Sequence, residues 1–135
     1  MWVMMSPSIA TEIDNDRTVA RCEAFARSWG YGGIQITNTF AYRATDQARM
    51  VEVDDPVGPD NDQNIRHMAG EAGLIVLAYG TPRNPPLLGR GPQVENLLQQ
   101  AGHQMHVLAV TNEGRPRHPL YLPGTLRPIP RLADG

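Results

Sequence analysis

The sequence predicts an α/β domain: a three-layer αβα sandwich around a small, mainly parallel four-stranded sheet. Three observations carry that expectation. Short strand-like segments rich in apolar residues recur at residues 2–5, 34–37, 74–78 and 106–110. Stretches with helical periodicity separate them. The third run, Leu74-Ile75-Val76-Leu77-Ala78, is continuous and apolar, as a central parallel strand covered on both faces should be. The alternation β-α-β-α-β-α-β then requires crossovers that lay helices on the sheet.

The elements follow in order. Residues 2–5 form a strand that opens into Ser6-Pro7-Ser8. Asp14 and Asp16 are candidate helix caps. Val19, Cys22, Phe25, Ala26 and Trp29 share the apolar face of the first helix, with Arg17, Arg21, Glu23 and Arg27 on the other. Gly30, Gly32 and Gly33 stop it. Residues 34–37 form the second strand, ending at Asn38, and a polar-aromatic loop holds Phe40, Tyr42 and Arg43. A helical turn is expected at residues 47–51. Asp60 and Asp62 are expected to cap the next helix, whose inner face carries Ile65, Met68, Ala69 and Ala72. The third strand ends at Tyr79-Gly80. Pro92 suits a first helical turn, and Val94, Leu97, Leu98 and Ala101 form the stripe behind it. Residues 106–110 make the fourth strand. The domain is expected to span 1–122, with a proline-rich tail over 123–135 as an extended wrap or a disordered end.

The chain has 135 residues, one domain's worth, and 41% of them are hydrophobic against 19% charged. Its formal net charge of −2 gives no general attraction to polyanions, so a nucleic-acid partner would need a local patch. All 12 basic residues are arginine, which suits bidentate phosphate contacts, although a codon bias is the plainer explanation. The lone Cys22 rules out an intramolecular disulfide and a cysteine-rich metal or iron–sulfur centre. No histidine pair has metal-ligand spacing, and neither a metal nor another cofactor is expected. No apolar run reaches the ~20 residues a membrane span needs, and a cytoplasmic location is expected.

Ligands of open α/β sheets bind beyond the carboxyl ends of the strands. That rule gathers residues 6–16, 38–46, 79–90 and 111–122. His118, held before Pro119, is a candidate acid, base or neutral donor; the plainer reading is a turn cap. Ser6 and Ser8 flank Pro7 where backbone amides can meet an anion, or they simply make a turn. The loop lacks the glycines and lysine of a P-loop and the elbow of serine hydrolases. Asn38 carries an acceptor and two donors able to read a base edge. Phe40, Tyr42 and Tyr79 are candidate stacking rings, or core. Arg43, Arg115 and Arg117 are candidate phosphate contacts, or solvated charges.

The segments Met5-Ser6-Pro7-Ser8-Ile9-Ala10, Trp29-Gly30-Tyr31-Gly32-Gly33, Asn38-Thr39-Phe40-Ala41-Tyr42-Arg43-Ala44-Thr45-Asp46, Asp55-Pro56-Val57-Gly58-Pro59-Asp60-Asn61-Asp62 and His118-Pro119-Leu120-Tyr121-Leu122 together resemble a bacterial and phage family known as a domain of unknown function. Ser6 stands where that family usually has asparagine. More distantly, the layout resembles the uracil-DNA glycosylase superfamily, in its base-reading strand (Asn38), its aromatic-glycine strand end (Tyr79-Gly80) and its late His-Pro loop (His118-Pro119-Leu120). That resemblance implies a uracil-DNA-glycosylase-like fold and a nucleobase-processing hydrolase acting by base flipping on DNA or nucleotide pyrimidines. It implies catalytic roles for His118 and Ser6, with Ser8, Asn38, Phe40, Tyr42, Arg43, Tyr79, Arg117, Leu120 and Tyr121 binding substrate and Leu120 or Tyr121 filling the gap. The alternative is a non-catalytic nucleic-acid or nucleotide-binding module on the same scaffold.

Overall fold

The computed structural model describes residues 1–5, 12–43 and 48–132, without the side chains of 12–15. Among these residues the order is β1 (Trp2–Met4), α1 (Glu12–Ser28), β2 (Ile36–Asn38), α2 (Ala48–Glu52), α3 (Asn61–Glu71), β3 (Val76–Leu77), a 3-10 turn (Pro85–Leu87), α4 (Arg90–Gln100), β4 (His106–Val107) and β5 (Ile129–Pro130). The sheet order is β2-β1-β3-β4-β5; the first four strands are parallel, and β5 runs antiparallel to β4.

The sheet is therefore mixed and five-stranded, one antiparallel edge strand more than the expected mainly parallel four-stranded one. The extra strand comes from the proline-rich tail. Pro130 lacks an N–H, so it is tolerated at an edge, and the Arg131 N–H donates to Met105 O at 2.7 Å. The ladders are also shorter than the apolar runs. Ile75 and Ala78 flank β3 and are buried with it, and β2 starts two residues later than its pattern implied, at Ile36.

Alternation along the strands sorts the core into two layers. Val3, Ile75, Leu77, Tyr79 and Val107 face α3 and α4, which contribute Ile65, Ala69, Val94 and Leu98. Trp2, Met4, Val76, Ala78 and Leu108 face the other way, onto Cys22 and Phe25 of α1 and onto Leu122. A third small cluster, Phe40, Met50 and Leu87, sits beside α2.

Helix caps depart from expectation. Asp16 lies inside α1, exposed, and Asp14 lies inside it as well. Asp60 occupies the N-cap of α3 without a side-chain capping bond. Asp62 instead pairs with Arg90. Val19 is 37% exposed, so the buried face of α1 is narrower than its apolar spacing suggested.

Cys22 is buried, and burial pushes its thiol pKa up to about 12. The reactive species is the thiolate. Native protein at pH 8 is therefore expected to resist Ellman's reagent, with full labelling on addition of denaturant; rapid labelling of folded protein would contradict the burial.

Candidate functional site

The strand order reverses direction at β1 and β3: the chain passes from β1 to β2 on one side, then crosses to β3 on the other. The crevice beyond the carboxyl ends of these two strands is the expected ligand position. Hydrogen bonds define its rim. Thr39 N and Phe40 N donate to Met4 O and Met5 O at 2.8 Å each, so the loop after β2 is fastened to the end of β1. Ala78 N donates to Val3 O, tying β1 to the extension of β3.

His118 follows a hairpin fastened beside β3 and β4. The chain leaves β4 through Val110, turns over residues 111–115 and comes back with Pro116 bridged to Val110. Gly80 N donates to Pro116 O at 2.9 Å on one side, and Arg117 N donates to Ala109 O at 2.9 Å on the other. The returning segment thus lies between the extensions of β3 and β4. Arg115 staples it: Nε donates to Gly80 O at 3.2 Å, Nη2 to Leu88 O at 3.2 Å, and the guanidinium stands 5.4 Å from the Tyr79 ring centroid. This arginine is structural, unlike the phosphate contact considered for it.

The His118 ring is oriented locally. Leu120 N donates to its Nδ1 at 3.1 Å. A backbone N–H can only donate, so the neutral ring carries its proton on Nε2. Though exposed, the ring is crowded enough that desolvation lowers its pKa below 6.5. The folded state then resists protonation. The corresponding stability is present above pH 6.5 and is lost as pH falls through the folded value. An NMR titration of the His118 Hε1 resonance should show a midpoint below 6.5; one above it would mean an unrecognised anion faces the ring.

The other candidates fall into distinct settings. Asn38 ends β2, half-buried. Its carbonyl accepts from Asn61 Nδ2 at 2.9 Å, and the Thr39 carbonyl accepts from the same group at 3.2 Å. Phe40 is buried against Met50 and Leu87. Tyr79 is buried, donates its hydroxyl to Glu95 and packs so closely on Gly91 that a Cβ there would overlap the ring. Both rings are largely covered by core neighbours. Tyr42, Arg43 and Arg117 are exposed, Leu120 is half-buried, and Tyr121 is 84% exposed. Ser6 and Ser8 lie outside the described residues. Neither His118 nor Asn38 lines the cavities beside Trp29, Glu95 or Phe40.

Some residues that shape the rim were not singled out as site residues. Asn61 and Arg90 clamp the end of β2, Arg90 Nε donating to Thr39 O at 2.7 Å. Arg90 is 6% exposed and also bonds Gln93 and Asp62. The clamp depends on the turn before α3. Gly58 there has φ +93, Gly58 N donates to Asp55 Oδ1, and Ala41 N donates to Val57 O. The signal for it in the sequence was the Asp60-Asn61-Asp62 run. Arg90, set between Gly89 and Gly91, gave no such signal.

Residues 1–120 match the family described as "Protein of unknown function (DUF1643)". The chain belongs to the DUF1643 family. The matched span of DUF1643 holds all four parallel strands, the rim and the His118 hairpin, and stops short of β5. No curated protein and no solved structure matches the chain. The resemblance to the uracil-DNA glycosylase superfamily thus gains no support from these comparisons. Among the described residues of this DUF1643 protein, no helix is long and apolar enough to cross a membrane, and no cluster of three or more metal-ligating side chains occurs.

Proposed function

We propose that the rim at β1 and β3 binds a nucleobase of DNA or of a nucleotide, and that the protein cleaves its N-glycosidic bond on a scaffold related to the uracil-DNA glycosylases. The observation that carries this reading is His118: a neutral imidazole of fixed tautomer with Nε2–H left to donate, on a segment fastened beyond β3 and β4. Such a donor can stabilise negative charge on a departing ring without adding a cation of its own. As the bond from C1′ to the base nitrogen breaks, its electron pair leaves with the base. Water adds its oxygen to C1′ and releases a proton, and the base is finally protonated. The half-buried Leu120 and the exposed Tyr121, two and three residues after His118, would fill the space a displaced base leaves. Flipping costs a few kcal/mol, least for a mispaired or single-stranded base.

A second reading, binding without turnover, is favoured by one observation: the Phe40 and Tyr79 rings are packed into the core. In that case exposed Arg43 and Arg117 would supply phosphate contacts and a salt-dependent affinity.

Incubation with duplex and single-stranded oligonucleotides carrying uracil, mismatched thymine or modified pyrimidines separates the two. Chromatography should detect free base, and His118→Ala should slow its release about 100-fold or more. No release from any substrate, with salt-dependent binding lost in Arg43→Ala and Arg117→Ala, would leave the binding module. Neither release nor binding would remove both readings.

A further inference from the structure

A cavity of about 520 Å³ opens beside Phe40, on the β2 side of the molecule. Its size falls within the range of small-molecule sites. Phe40, Met50, Val57 and Leu87 make its apolar wall, and these residues pack as a core of their own, separate from the two layers on the sheet. Its polar corner is Arg90 with Gln93.

The hydrogen bonds fix what that corner offers. Arg90 donates through Nε to Thr39 O at 2.7 Å, through Nη1 to Gln93 Oε1 at 2.9 Å and through Nη2 to Asp62 Oδ1 at 2.5 Å. A guanidinium has five N–H groups, so two remain, one on each terminal nitrogen. Arginine cannot accept, so the Gln93 oxygen is the atom facing it and the Gln93 amide N–H groups are left over. Every group the corner has to spare is a donor. The Asp62 carboxylate meanwhile offsets the Arg90 charge, so a neutral acceptor fits as well as an anionic one.

We propose that this cavity is a binding site for a small ligand with an aromatic or branched apolar body and an acceptor-only oxygen head, a carbonyl or carboxylate, seated on Arg90 and Gln93. The site adjoins the rim through Phe40 and Arg90, but His118 does not line it and it does not depend on the glycosylase reading. It shares Arg90 with the clamp on Thr39, so a bound ligand would also hold the end of β2 in place. An ammonium head would meet N–H donors and a guanidinium, and is excluded.

The test compares three probes of one shape: benzoate, acetophenone and benzylamine, titrated into the ¹⁵N-labelled full chain. Benzoate and acetophenone are expected to shift the amides of Val57, Leu87, Gly89 and Gln93 saturably, while benzylamine leaves them in place at the same concentration. Gln93→Glu keeps an acceptor for Arg90 but removes the spare amide donors at an exposed position; it should weaken benzoate binding at least 10-fold with the remaining amide spectrum unchanged. Met50→Trp fills the cavity and should abolish the shifts. Benzylamine binding as tightly as benzoate, no saturable shift with any probe, or unchanged benzoate binding in either variant would overturn the proposal.

Discussion

Phe25→Ala is expected to destabilise the protein by about 4 kcal/mol, with a fall in Tm of about 15 °C. Phe25 is 1% exposed and sits where α1 meets the sheet. Its ring lies 6.1 Å from Trp2 of β1 and 5.5 Å from Trp29, and the Arg21 guanidinium stands 5.0 Å above it. Trp2 and Trp29 also stack on each other at 5.9 Å. Truncation leaves a void bounded by rigid rings that cannot collapse into it, which places the loss toward the upper end of such substitutions. Arg21, already donating to Leu122 O, would lose the ring beneath it. Urea denaturation followed by tryptophan fluorescence measures the change directly. A loss under 1 kcal/mol would mean that α1 does not pack as described.

Arg90→Ala is expected to cost about 3 kcal/mol, from lost charge-assisted hydrogen bonds and the packing of a buried stem. The three partners are not equal. Asp62 is 43% exposed and can regain water, as can Gln93 at the surface, so they account for little. The larger share falls on Thr39 O, in a residue 1% exposed, which would keep only the 3.2 Å bond from Asn61 among the partners described. Arg90→Lys should recover part of the loss, because an ammonium supplies a charge but not the fork that joins Thr39, Asp62 and Gln93. Thermal denaturation of the two variants gives the ranking. If the alanine variant matched the parent, the clamp on β2 would be decorative.

Much of the fold was legible because period and punctuation agree. Residues 74–78 could hardly be anything but a central strand, and α1 announced itself by Cys22, Phe25 and Ala26 at helical spacing, closed by Gly30 at φ +89. The fifth strand was not legible. Ile129 and Pro130 are exposed and carry no alternating pattern, and their pairing comes from the open edge of β4. The capping aspartates misled for a related reason. A carboxylate beside a helix start looks like a local cap, yet Asp62 found a better partner in Arg90, 28 residues away. Candidate site residues divided in the same way. His118 stands out by its place after an apolar run, and the bond from Gly80 to Pro116 fastens the segment that precedes it beyond β3. Tyr79 and Phe40 were named as stacking rings because an aromatic at a strand end has the same signature whether it faces a ligand or the core.

By itself, the sequence determined the alternation of helix and strand, the two-sided burial of the sheet and the gathering of loops at one end of it. These follow from near-neighbour spacing, which fixes which face of an element is apolar. The tertiary structure decided the strand order, the mixed character of the sheet, the seating of Pro116 and Arg117 between the extensions of β3 and β4, and the use of Arg90, Arg115 and Tyr79 as internal joints. Those depend on pairings between groups far apart in the chain. A polar side chain carries no mark of whether water, a ligand or a distant carbonyl will satisfy it, and that choice is made only when the elements pack.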